Sequence, residues 1–98
     1  TAYNRPMSEI VVRIPAALRG FTDGADELSA SPGTVADVLA QLRVRHPQLV
    51  QRLLTPEGEL RPFVNVFLDR ANIRALQGLA TPVPAGTVVS ILPAVAGG

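Results

Sequence analysis

Two periods organise the apolar residues of this chain. Ile10, Val12 and Ile14 recur at every second position with Glu9 and Arg13 between them, which predicts a strand with one buried face over residues 8–14. Pro15 ends it. Gly20, Asp23 and Gly24 are turn signals ahead of a weaker strand at 25–30, so the two strands read as a hairpin with a long loop. The period then changes. After Ser31-Pro32-Gly33, Thr34 is placed to cap a helix, with Asp37 three residues on as its capping-box partner. Val35, Val38, Leu39 and Leu42 follow at i, i+3, i+4 and i+7, one apolar stripe opposite Asp37, Gln41, Arg43 and Arg45. Pro47 stops that helix, and Leu49, Val50, Leu53 and Leu54 suggest one further short turn before the loop Thr55-Pro56-Glu57-Gly58.

Alternation returns at 63–68, where Val64, Val66 and Leu68 oppose Phe63, Asn65 and Phe67. An amide left unpaired in a core costs roughly 1–3 kcal/mol, so Asn65 assigns the aliphatic triplet to the interior and Phe63, Asn65 and Phe67 to an outer face. The opposite register would bury the rings instead. Residues 69–72 form a tight turn into a short strand at Ile73-Arg74, 76–81 a compact connection, and Pro82 and Pro84 stiffen the approach to the last strand. There Val89 and Ile91 point inward and Ser90 and Leu92 outward. This order of elements, with one helix long enough to cover a sheet, predicts an α+β domain. Its simplest form is a mixed sheet with one main helix packed on one face and the last strand lying parallel to the first at the centre. That is the ubiquitin-like β-grasp.

Composition narrows the chemistry. A chain of 98 residues, 47% hydrophobic and 17% charged, fits one domain with a compact core, and no apolar run approaches the roughly 18 residues needed to cross a membrane. Residues 1–6 precede the only methionine and read as an expression remnant, which divides the chain into 1–6, a domain at 7–92 and a tail at 93–98. No charged start followed by a long apolar stretch comes after Met7, so the expected location is cytoplasmic. The net charge of +1 includes Arg5, leaving no basic stripe for nucleic acid. With no cysteine there is neither a disulfide nor a thiolate metal site nor a persulfide. His46 is the only histidine, so no histidine metal cluster is available, and its position at a helix end gives it a structural role. No glycine-rich phosphate loop suggests a bound nucleotide or other cofactor. All nine basic residues are arginine, which rules out self-attachment through a lysine.

The last six residues, Pro93-Ala94-Val95-Ala96-Gly97-Gly98, contain no side chain able to do chemistry. Their one reactive group is the α-carboxylate of Gly98, ionised at neutral pH and inert until something activates it. Gly97 and Gly98 lack a Cβ and can pass down a channel closed to other residues. Six extended residues reach about 20 Å, enough to enter a partner's active site while the domain docks outside. Taken alone, a terminal Gly-Gly is equally compatible with a frayed end.

The string Val88-Val89-Ser90-Ile91-Leu92-Pro93-Ala94-Val95-Ala96-Gly97-Gly98 resembles the end of the small ubiquitin-like sulfur carriers of the MoaD/ThiS family, and is most similar to the CysO branch. Phe63-Val64-Asn65-Val66 and Gly78-Leu79-Ala80-Thr81 carry the resemblance further, whereas the first half matches in pattern only. Pro93-Ala94 stands where the general family pattern often has Pro-Pro, which separates this chain from the molybdopterin-synthase small subunit. The resemblance implies a carrier that catalyses nothing itself. An adenylating enzyme, similar to the ubiquitin activators, would use ATP to activate Gly98, and a sulfur donor would leave a terminal thiocarboxylate. An acceptor synthase would then take the sulfur, and in the CysO branch a metalloprotease releases the cysteine made. Pro93, Ala94, Val95 and Ala96 would thread into the partner, with Gly97 and Gly98 at the reacting end. The outer face of Phe63, Asn65, Phe67, Ser90 and Leu92, apolar with a polar rim, is the expected docking surface. Two alternatives are a ubiquitin-like modifier forming amide bonds through Gly98 and a non-covalent β-grasp interaction module.

Overall fold

The computed structural model describes residues 9–93. In chain order the elements are β1 (Ile10–Arg13), β2 (Glu27–Ala30), β3 (Gly33–Thr34), α1 (Val35–Arg45), α2 (Pro47–Leu53), β4 (Val64–Leu68), β5 (Ala71–Asn72), β6 (Pro82–Val83) and β7 (Val88–Pro93). Five strands form one sheet in the order β2-β1-β7-β4-β5, and β3 pairs separately with β6. As the sequence predicts, β7 runs parallel to β1, with Val11 opposite Val88 and Arg13 opposite Ser90. On its other side β7 runs antiparallel to β4, with Val64 opposite Pro93 and Leu68 opposite Val89. The fold is the α+β, ubiquitin-like β-grasp.

The alternation decides which face is covered. Ile10, Val12, Val64, Val66, Val89 and Ile91 are all at most 1% exposed, and they meet the α1 stripe of Val35, Val38, Leu39 and Leu42. Burying one such side chain is worth roughly 1.5–3 kcal/mol, so a register slip of one residue in any of the three central strands would forfeit several at once. Leu49, Val50 and Leu53 extend the same core from α2.

Four local features differ from the sequence reading. Pro47 starts α2 as well as ending α1, because the first turn of a helix has no use for the N–H that proline lacks. The covering layer therefore has a second helix of seven residues. The short strand lies at Ala71–Asn72, opposite Leu68 and Phe67, and not at Ile73-Arg74. Asn72 Oδ1 accepts from the Arg74 N–H at 2.9 Å and so turns the chain into a 3-10 helix that buries Ile73. The long hairpin loop contains a further 3-10 helix, Ala16–Phe21, which plants Leu18 in the core. Finally, the pairing of β3 with β6 ties the start of α1 to the segment before β7.

The capping box forms as expected. Thr34 Oγ1 accepts from the Asp37 N–H at 3.1 Å, and Asp37 Oδ2 accepts from the Thr34 N–H at 3.0 Å. A Cβ on Gly33 would come within 2.9 Å of the Asp37 Cβ and Oδ2, so the box requires glycine there. The Thr34 backbone N–H, and then its hydroxyl, hold the Asp37 carboxyl below its ordinary value of 3.8. A carboxylate with a depressed folded-state pKa stabilises the fold above its ordinary pKa and loses that contribution as pH falls through the folded value. Urea denaturation should accordingly show Thr34→Ala less stable by about 1 kcal/mol. Asp37→Asn should reduce the stability lost between about pH 5 and about pH 2; an unchanged acid profile would remove Asp37 from this role.

Candidate functional site

The uncovered face of the sheet is built by register. Arg13 lies opposite both Glu27 and Ser90, Ser90 opposite Phe67, and Phe67 opposite Asn72, so one row of side-chain positions crosses all five strands. Asn65 and Leu92 form the next pair along. Leu92 is 49% exposed, while Asn65, Phe67 and Ser90 are half-buried. Thus four of the five residues expected on the outer face come together there. Asn65 is not a bare polar marker, since its Oδ1 accepts from Asn72 Nδ2 at 3.2 Å. The Arg13–Glu27 ion pair at the far end of the row is long, at 3.9 Å, and solvent-exposed.

Phe63 is different. It precedes β4, is 49% exposed, and lines a hollow of about 300 Å³ at the end of the sheet with Leu18, Leu53, Val64 and Pro93. Arg74, which sequence reasoning passed over, fixes the backbone on either side of it. Its Nη2 donates to Arg61 O at 2.8 Å and to Val64 O at 2.7 Å. The local signal for this clamp was faint, because its acceptors are carbonyls ten or more residues away in sequence.

Pro93, assigned to the tail by sequence, is the final residue of β7 and lies opposite Val64. Ala94, Val95, Ala96, Gly97 and Gly98 lie outside the described residues. His46 joins α1 to α2 through its backbone, its N–H donating to Leu42 O at 2.7 Å and its carbonyl accepting from the Leu49 N–H at 3.1 Å. Among the described residues no cluster of His, Cys, Asp and Glu could hold a metal ion, and no helix is long and apolar enough to cross a membrane.

A central β7 aimed at a Gly-Gly terminus is the arrangement against which known proteins can be compared. The model of the ThiS family matches residues 12–98, from within β1 to the last glycine. The chain belongs to the ThiS family. Sulfur carrier protein CysO of Mycobacterium tuberculosis (strain ATCC 25618 / H37Rv) is 40% identical over 91 residues, covering 91% of this chain and 98% of that protein. Small archaeal modifier protein 3 of Haloferax volcanii is 42% identical over 65 residues, covering 66% of this chain and 70% of that one. Among solved structures, the BexX/CysO complex of Amycolatopsis orientalis contains a chain with a TM-score of 0.84 and 36% identity. The match covers 91% of this ThiS-family chain and 99% of that one.

The assignment of faces has a direct check. Leu92→Asp, on the open face, should unfold in urea within about 1 kcal/mol of the parent, whereas Val66→Asp, fully buried opposite α1, should cost more than about 4 kcal/mol or prevent folding. Equal losses would mean that both faces of β4 are core.

Proposed function

We propose that this protein is a sulfur carrier whose working atom is the carboxyl carbon of Gly98. The observation that carries this reading is the span of the family match, which extends from residue 12 through β7 to Gly98. The similarity to CysO supports it. In the proposed cycle a carboxylate oxygen of Gly98 attacks the α-phosphorus of ATP on a ubiquitin-activating-like enzyme, and pyrophosphate leaves. Sulfide, free or released from a donor, then attacks the acyl carbon and displaces AMP. This leaves a thiocarboxylate whose sulfur is nucleophilic and held covalently until an acceptor takes it. We place the acceptor among synthases that make cysteine or another sulfur metabolite such as a thiosugar, with a metalloprotease as releasing partner in the cysteine case. All of this is set in the cytoplasm. The chain supplies the terminus and docking face, while partner enzymes supply the catalysis and the ATP site.

The physical logic is that an ionised carboxylate is a poor acyl donor until its oxygen becomes part of a good leaving group. An activated acyl group is attacked by whatever nucleophile reaches it, usually a lysine amine or a cysteine thiol. This chain has neither residue, so it does not offer the activated terminus such a side chain of its own. A second reading, a modifier joined through Gly98 to a target lysine, draws support from the likeness to Small archaeal modifier protein 3. Both readings share the adenylation step and part at the acceptor.

Incubation with the activating enzyme, ATP and sulfide, followed by intact-mass measurement, should show one product heavier by the exchange of sulfur for oxygen. Removing Gly98 should abolish loading with the circular dichroism unchanged, and loading by that variant would overturn the proposal. Covalent adducts through Gly98 on other proteins would favour the modifier reading. On the docking face, Phe67→Asp should weaken binding to the activating enzyme by about 2 kcal/mol, roughly thirtyfold in Kd, with little change in thermal stability.

A further inference from the structure

The hollow beside Phe63 has a lining that is part apolar and part cationic. Pro93 lines it with the apolar Leu18 and Leu53, and Arg52 and Arg61 line it as well. The same two arginines, with Gln51, also line a second hollow of about 400 Å³ that includes Phe21 and Gln48, so the two hollows share a cationic stretch and together form a groove. The arginines are braced in place. Arg61 Nε donates to Gln51 O at 3.1 Å, and the Arg52 guanidinium carbon stands 4.8 Å from the centroid of the Phe21 ring. Among the described residues neither one is paired with a carboxylate.

The chain itself contains a segment of matching character. Five residues follow Pro93: Ala94, Val95 and Ala96 are small and apolar, and Gly98 ends in a carboxylate. Extended, five residues reach up to about 17 Å, and Pro93 borders the same hollow as both arginines, so the segment need not leave the surface to meet them. Apolar residues after Pro93 suit the apolar lining of that hollow, and the terminal anion suits its two arginines. We propose that the C-terminal segment docks in this groove, with Val95 against Leu18 and Leu53 and the Gly98 carboxylate on Arg52 and Arg61. The docked terminus and a terminus threaded into an enzyme exclude each other, so a partner that activates Gly98 must first lift it away. That consequence rests on the carrier reading above; the docking does not.

The test uses nuclear magnetic resonance on the full chain at low ionic strength, with no partner present. The docked segment should show contacts between the Val95 methyls and those of Leu18 or Leu53, and backbone order parameters above about 0.6 from Val95 to Gly98. Val95→Asp should leave the β1 and β7 amide shifts in place. It should drop the tail order parameters below about 0.6 and move the Leu18 and Leu53 methyl resonances. Arg52→Glu should loosen Gly98 in the same way. The proposal is overturned if the tail order parameters are low in the parent and the Leu18 and Leu53 resonances do not respond to Val95→Asp. It is equally overturned if the groove resonances respond only to an added activating enzyme, which would make the groove a partner's site.

Discussion

The structure depends on the double pairing of β7. Its parallel ladder to β1 and its antiparallel ladder to β4 join the first strand of the domain, the last strand and the strand between them into one sheet. Val89 and Ile91 bring the same strand into the core at 1% exposure, so no part of β7 can shift without moving both the ladder and the packing. Each other element has a supporting relation to this strand. α1 and α2 cover its inner face, the edge strands β2 and β5 are short, and Gln41 closes the outer end of β2 by exchanging hydrogen bonds with Ser31 at 2.8 and 3.0 Å.

β7 is central in the sheet, so the described chain ends at Pro93 on a strand flanked by β1 and β4. A terminus attached to an edge strand would move with the fraying of that edge. Here the strand that leads to it is held on two sides as far as Ser90 and on one side as far as Pro93. The chemistry proposed for Gly98 needs such an anchor, since a partner that grips the open face then finds the end of β7 at a fixed distance. The open face, proposed above as the docking surface, carries Phe67 and Leu92 among the polar groups of Asn65, Ser90 and Arg13.

Much of this was legible in sequence, because the strongest signals are local and periodic. The alternation of Val64, Val66 and Leu68 and the stripe from Val35 to Leu42 each report burial through a single element, and Thr34 with Asp37 reports a cap through three residues. Reading Asn65 as an outward marker gave the right face, although its amide proves to be paired with Asn72. What stayed hidden is short or non-local. β3 and β6 have two residues each, too few for a period, and one of those residues is a proline. The displaced strand at Ala71–Asn72 turns on a side-chain cap that competes with the β-branched Ile73 for control of the local conformation. The Arg74 clamp and the groove bounded by Leu18, Arg61 and Pro93 unite residues far apart in sequence, and no window along the chain contains them together.

The central claim is that the strand exists to present one carbon atom, the carboxyl carbon of Gly98. Protein labelled with carbon-13 at that position, loaded by its activating enzyme with ATP and sulfide, tests it directly. The account predicts that the labelled resonance is replaced by a single thiocarboxylate resonance while the amide spectrum of residues 10–92 keeps its folded pattern. A loaded protein whose mass shows the added sulfur but whose Gly98 carbon resonance is unchanged would place the sulfur elsewhere and contradict it.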